Sequence, residues 1–164
     1  IIGNHDMHTE FISVSRETVQ ALYENENNLI VVGTTSMRTV ESLYYMGEKI
    51  LQNPEIECSD LTVSQWEPYS EENPISPKLA MKAILDYIDK NNLKQLFTAT
   101  QIIIVPGYEF HYPQAIITNF HQPQSTLLLL IAAFIGKDWK RVYDYALQNE
   151  YRFLSYGDSS LLWK

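Results

Sequence analysis

The sequence predicts an α/β fold, a mixed β-sheet flanked by helices, and three observations carry that prediction. Short apolar runs that are β-branched or alternating recur along the chain, at Leu29–Val32, Leu61–Trp66, Gln101–Val105 and Ala115–Thr118. Between them lie segments whose apolar residues repeat every three or four positions, the period of a helix with one buried face. Strand and helix signals therefore alternate, the pattern of a layered α/β structure.

Each element has a local reason. Ser15 is an N-cap for a short helix carrying Val19, Leu22 and Tyr23, which ends in the Asn/Glu-rich stretch to Asn28. Leu29–Val32 is a continuous apolar run and reads as a buried strand. A Gly33-Thr34-Thr35-Ser36 turn hands it to a helix with Met37, Val40 and Tyr44 on one face, ending near Gly47. Leu61–Trp66 alternates and reads as a strand, and Glu67–Pro74 as loop. Ser76-Pro77 opens a helix with proline at its first position, running through Leu79, Ala83, Ile84, Tyr87 and Ile88 to Asn91-Asn92. Gln101–Val105 reads as a strand halted by Pro106-Gly107, and Ala115–Thr118 as a short strand. Ser125 starts the most apolar helix, Thr126–Ile135, closed by Gly136. It is apolar all round and should be buried. The next helix has Trp139, Val142, Tyr143 and Ala146 on its inner stripe, and a Gly157-Asp158 turn leads into a final strand.

Composition excludes several classes. With 164 residues, 45% hydrophobic and 20% charged, the chain is long enough for one real core or for half of a larger enzyme, and it is not disordered. Twelve Lys and Arg against 20 Asp and Glu give a net charge of −8, so the chain as a whole is no electrostatic glove for nucleic acid. One cysteine, Cys58, excludes a disulfide framework and a cysteine-rich zinc site, and fits the cytosol. The longest apolar run, Leu127–Ile135, is far short of a membrane span, and no signal-peptide pattern precedes it. The chain opens on Ile1-Ile2-Gly3 with motif-like residues at once, as expected of a piece of a longer protein. A site built from both halves would be incomplete here.

Four segments carry chemistry. In Gly33-Thr34-Thr35-Ser36-Met37-Arg38-Thr39 a strand meets a helix N-terminus, where open N–H groups and the dipole favour an anion. The hydroxyls of Thr34, Thr35 and Ser36 add donors and Arg38 a fixed charge. The ordinary alternative is a Ser36 cap with Arg38 paired to Glu41. In Thr118-Asn119-Phe120-His121, polar groups follow a strand, where α/β sheets hold ligands, and His121 could act as a base near neutral pH. Its alternative is a histidine satisfied by backbone. In Tyr151–Asp158, Tyr156 and Asp158 could hold a nucleoside, or Asp158 could simply pair with Arg152. His5, Asp6, His8 and Glu10 hint at a metal, but nothing completes a ligand set, and no metal is expected.

Taken in order, these segments are specific. Met7-His8-Thr9-Glu10, Val32–Ser42, Pro106-Gly107-Tyr108-Glu109-Phe110, Thr118–Leu128 and Tyr151–Asp158 closely resemble the C-terminal half of the S-adenosylmethionine:tRNA ribosyltransferase-isomerases of queuosine biosynthesis. The resemblance covers residues 1–164 as the C-terminal α/β portion of a larger two-domain enzyme, apart from about residues 51–98, an insertion-like segment. It departs from the family at Gln122, where a leucine is usual, and at Gln124, where a lysine is usual.

The resemblance implies a cytoplasmic enzyme without a metal that uses S-adenosylmethionine as ribosyl donor. Its partner would be a tRNA carrying 7-aminomethyl-7-deazaguanine at the wobble position, and the N-terminal half would complete it. The ribosyl group goes to the aminomethyl group of that base and is isomerised to epoxyqueuosine, with release of adenine and methionine. The sulfonium acidifies the ribose 5′ carbon, so a base must take a proton there. His121 or His8 is the expected base, with Glu10 as orienter. Thr34, Thr35, Ser36 and Arg38 would bind an anion, the methionine carboxylate or a tRNA phosphate. Asn119, Tyr156 and Asp158 would hold the nucleoside or the modified base. Arg38, Asn119, His121 and Asp158 are expected to line one cavity, and Arg38 to be replaceable at little cost in stability. The piece alone should be catalytically silent and self-associating. The rival reading is a non-catalytic nucleoside- or tRNA-binding module of the same fold. A phosphate-transferring enzyme lacks the lysine it would need.

Overall fold

The computed structural model describes residues 7–26, 28–70 and 74–164. The fold is α/β with a mixed sheet and helices, in two compact units. One comprises Ile1–Asn27 and Arg38–Ile103, the other Asn28–Met37 and Ile104–Lys164.

In the first unit, β1 (Glu10–Ser15) pairs antiparallel with β3 (Gln95–Thr100). Alternation puts Ile12 and Val14 inward beside Leu96, Thr98 and Thr100, and leaves Phe11 and Phe97 exposed and stacked on the outer face. Ser15 caps α1 (Arg16–Glu24) by accepting from the Thr18 N–H, as its position predicts, and Val19 and Leu22 face the core. Helix α3 (Pro77–Lys90) packs on α1. It starts as expected, with Ser76 accepting from the Leu79 N–H and Pro77 at the first position, and ends at Asn91.

Two strands differ from expectation. Leu61–Trp66 forms no strand: a 3-10 turn at Cys58–Leu61 and another at Glu67–Ser70 flank an isolated bridge from Val63 to Thr100. The strand expected at Gln101–Val105 lies just upstream, as β3. Ile102, Ile103 and Ile104 are almost fully buried, but among the described residues only Gln101 and Ile103 donate across, to the Val63 and Gln65 carbonyls. A buried apolar run has the same composition with or without a ladder, and the alternating run at 95–100 was the one that paired.

The second unit holds the mixed sheet, in the order β2 (Leu29–Val32), β4 (Pro113–Asn119), β5 (Ser159–Trp163). β2 runs parallel to β4, and β5 antiparallel. Val31, Ile116, Thr118 and Leu162 are buried on one face. β2 is not the fully buried strand its apolar run predicts. Ile30 and Val32 lie on the other face with Ile117, Leu161 and Trp163, all 36–66% exposed. The expected turn at Gly33–Ser36 is shorter too. Gly33 alone reverses the chain, at φ +86°, where a side chain is strained, and α2 (Thr34–Gln52) begins at the next residue. Ser36 therefore sits in the first turn of α2 and is no N-cap, and α2 continues past Gly47. The boundary between the units falls inside α2, after Met37.

Helix α4 (Thr126–Ile135) is capped by Ser125 and closed by Gly136 as expected. Its burial is partial: Leu130, Ile131, Ala132 and Phe134 are buried, whereas Leu127, Leu128 and Leu129 are only half-buried. On α5 (Asp138–Gln148) Tyr143 and Ala146 are buried and meet the expected stripe. Among the described residues no helix is long and apolar enough to cross a membrane.

Candidate functional site

In the second unit, the strand directions bring three of the singled-out segments to one end of the sheet. β2 and β4 are parallel, so Gly33 and Asn119–His121 both follow carboxyl ends. β5 is antiparallel, so the Tyr156–Asp158 turn that precedes it arrives at the same end, with Ser159 opposite Asn119. The carboxyl ends of strands are where open α/β sheets hold ligands. Hydrogen bonds lace the segments together. The Gly33 N–H donates to the Ile117 carbonyl at 2.8 Å, Asn119 Nδ2 to the Gly157 carbonyl at 3.3 Å, and the Leu154 N–H to the Phe120 carbonyl at 2.9 Å. Gly157 is required by contact: a Cβ there would lie 2.3 Å from the Arg152 carbonyl oxygen.

His121 is half-buried. Its Nε2 lies 2.9 Å from Thr118 Oγ1, and its backbone N–H donates to the Tyr143 hydroxyl at 3.1 Å. Burial pushes the imidazole pKa down, so the ring is neutral at pH 7. When Nε2 carries the proton and donates to Thr118, the Nδ1 lone pair is free to accept one. The histidine is therefore held by a side chain as well as through its backbone. Asp158 takes the pairing its spacing allowed. Its carboxylate accepts from the Arg152 backbone N–H at 2.8 Å and from Arg152 Nη2 at 3.0 Å, and that guanidinium holds the Asp158 carboxyl below the usual carboxylate range. Tyr156 is 96% exposed. Thr34 is half-buried, and Thr35 and Ser36 are exposed in the first turn of α2.

Arg38 belongs to the first unit and departs most from expectation. It is not a surface charge, being 4% exposed. Its Nε donates to the Ile102 carbonyl at 3.0 Å, and its Nη1 to Glu10 Oε1. The i,i+3 pairing with Glu41 is replaced by this longer-range one, because Glu10 stands on β1 opposite Thr100, at the same end of the ladder as Ile102. Burial pulls the guanidinium pKa down and Glu10 opposes it. Two further atoms of this pair, Arg38 Nη2 and Glu10 Oε2, are buried without a partner among the described residues. Ser42 Oγ donates to the Arg38 carbonyl and lies 2.7 Å from Thr100 Oγ1, which accepts from the Ile102 N–H. Glu41 is fully buried as well. Composition alone did not mark this buried polar cluster, although Glu10, Arg38, Glu41 and Ser42 all lie inside the motifs.

Glu10 thus engages Arg38; among the described residues it makes no hydrogen bond to His8, which is exposed. His5 and Asp6 lie outside the described residues. Among those described, no group of three His, Cys, Asp or Glu could hold a metal ion.

The site is thus that of an α/β protein with polar loops gathered at strand carboxyl ends. The chain matches the queuosine biosynthesis protein family over residues 1–162. It is 36% identical over 166 residues to the S-adenosylmethionine:tRNA ribosyltransferase-isomerase of Caldanaerobacter subterraneus subsp. tengcongensis, covering 99% of this chain and 36% of that protein. The enzyme of the same name from Thermotoga petrophila is 34% identical, over 98% of this chain and 36% of its own length. A crystal structure of S-adenosylmethionine tRNA ribosyltransferase from Thermotoga maritima superimposes with a TM-score of 0.55 at 31% identity, over 93% of this chain and 40% of that one. The chain belongs to the queuosine biosynthesis protein family. It spans little more than a third of the length of these relatives.

Proposed function

We propose that the chain is the C-terminal α/β portion of a cytoplasmic S-adenosylmethionine:tRNA ribosyltransferase-isomerase, with residues 51–98 as an insertion-like segment and an N-terminal half as its partner. The ribosyl group of S-adenosylmethionine passes to the aminomethyl group of 7-aminomethyl-7-deazaguanine at the wobble position of tRNA. It is isomerised to epoxyqueuosine, and adenine and methionine leave. No metal takes part. The observation that carries the proposal is the gathering of Gly33–Ser36, Asn119–His121 and the Tyr156–Asp158 turn at one end of the mixed sheet in a chain of this family.

Within that reading His121 takes the proton from the ribose 5′ carbon. Its neutral ring and its contact with Thr118 support this role over His8, the second candidate, whose intended orienter Glu10 is engaged with Arg38. Thr34, Thr35 and Ser36 offer hydroxyls and open N–H groups to an anion at the start of α2. Arg38, in the first unit, would bind an anion through Nη2, which is buried there without a partner among the described residues. Asn119, Tyr156 and Asp158 hold the modified base. The test uses the full-length protein. His121→Ala should abolish adenine release while tRNA binding survives, and His121→Gln should not restore it. Restoration by glutamine would make His121 structural and move the role of base to His8.

A further inference from the structure

Among the cavities of the second unit that the residues singled out from sequence leave unassigned, one is lined by α5 and β5. It has a volume of about 480 Å³, within the usual range for a small-molecule site. Phe120, Arg141, Val142, Tyr145, Tyr151 and the segment Ser159–Leu162 line it, whereas Asn119, His121, Tyr156 and Asp158 do not. Phe120 and Tyr151 come from two of the motifs, and Tyr145 and Arg141 from α5.

Its two walls differ in chemistry. One is aromatic. The Tyr151 ring packs against Phe120 at 5.6 Å and against Tyr145 at 6.1 Å, and Tyr145 and Tyr151 stay 59% and 38% exposed. The other wall is the outer edge of β5, which among the described residues is an end strand. The Lys164 N–H donates to the Gln114 carbonyl, so residues 164 and 114 form a hydrogen-bonded pair. Counting in twos along the antiparallel ladder, Leu162 and Ser160 bond to β4, while Ser159 and Leu161 turn their N–H and C=O groups away from it, along the cavity. Leu161 thus presents a donor and an acceptor side by side. At the rim stands Arg141, whose only ion pair among the described residues is an exposed one with Asp138 at 3.3 Å, weak enough to exchange for another carboxylate.

We propose that this cavity takes the adenosine of S-adenosylmethionine, with the adenine edge on the Leu161 backbone, its face on Tyr145 and Tyr151, and the methionine carboxylate at Arg141. Adenine carries an acceptor nitrogen beside an amino donor, the complement of one outward-facing residue of an extended strand. A planar base also needs the flat apolar wall that the two tyrosines supply. This rests on the ribosyl-donor reading above and deepens it: the donor enters beside Phe120 with its ribose 5′ carbon toward His121, the next residue, and the other polar loops are left for the modified base.

The probe is S-adenosylhomocysteine, which keeps the adenosine and the carboxylate but lacks the sulfonium. It is titrated into the 164-residue chain and into the full-length protein, followed by calorimetry and amide NMR. Tyr145→Ala and Tyr151→Ala should each weaken binding at least tenfold, and the Leu161 amide should shift. Tyr145 is exposed on α5, so its replacement leaves the core intact. Arg141→Ala should weaken S-adenosylhomocysteine about tenfold but leave adenosine, which has no carboxylate, unchanged. Tight binding that ignores all three variants would overturn the cavity while leaving the ribosyl-donor reading standing. No binding to either protein would overturn the cavity, and the donor reading would then be decided by turnover. Displacement of an anticodon stem-loop RNA instead of S-adenosylhomocysteine by these substitutions would also overturn it, making the face a tRNA contact.

Discussion

Glu10→Ala should destabilise the protein more than Arg38→Met does, although both remove the same ion pair. The Arg38 side chain is 5% exposed and the Glu10 side chain 31%. Removing Glu10 strands a guanidinium that water cannot reach, and uncovering a buried charge in this way costs about 3–5 kcal/mol. Removing Arg38 strands a carboxylate that recovers part of its hydration. What is then lost is chiefly the charged hydrogen bond to the Ile102 carbonyl, about 1.5–3 kcal/mol. The gap between the two variants should be about 1–2 kcal/mol. Urea unfolding at pH 7, followed by circular dichroism and tryptophan fluorescence, measures both, and an unchanged m-value shows that the same transition is compared. Equal costs, the reverse order, or a cost below about 1 kcal/mol for Glu10→Ala would refute the assignment of Arg38 as the buried partner. The result bears on function too, because Arg38 is not the cheaply removed surface charge that its motif suggests. A fall in activity on replacing it has to be read against the folded fraction.

Three further outcomes follow from particular contacts. Burial lowers the folded-state pKa of His121, so its contribution to stability is present above the unfolded value near about 6.5 and is lost as pH falls through the lower folded value. The melting temperature should therefore fall across that window and fall less in His121→Gln; identical slopes would contradict it. Gly157→Ala places a Cβ against the Arg152 carbonyl and should cost about 1–3 kcal/mol, measured by the same unfolding assay, and a neutral result would mean that the turn relaxes freely. The apolar sheet face at Val32 and Leu161 should drive self-association of the 164-residue chain in sedimentation velocity, and Val32→Lys with Leu161→Lys should suppress it; a monomeric parent chain would contradict this.

Much of the second unit was legible in the sequence because its signals are local. Ser125 and Gly136 bracket α4 by capping chemistry, and Leu29–Val32 is a strand with the bounds its composition sets. What was not legible depends on partners distant in the chain. The Ile102–Ile104 run is apolar because it is buried, and nothing in its own residues says that its ladder is incomplete. Ile30 and Val32 belong to an apolar run that reads as doubly buried, yet only one face of their sheet is covered. The candidate site divides in the same way. Gly33, Asn119 and His121 announce themselves by standing where strands end, and Asp158 by standing where one begins. The pairing of Arg38 with Glu10, 28 residues earlier, could not be chosen over Glu41 from spacing. Nor could sequence show the cavity beside β5, whose walls come from four separate segments and from backbone groups that carry no residue signature.

The most direct test of the account is turnover by the full-length protein given S-adenosylmethionine and tRNA that bears 7-aminomethyl-7-deazaguanine. Adenine release and wobble-base mass should be followed together. One adenine and one methionine should be released for each tRNA whose wobble base gains the ribosyl-derived group, with both signals lost in His121→Ala. Binding of both substrates with no adenine released would contradict it and leave the protein a docking module of the same fold.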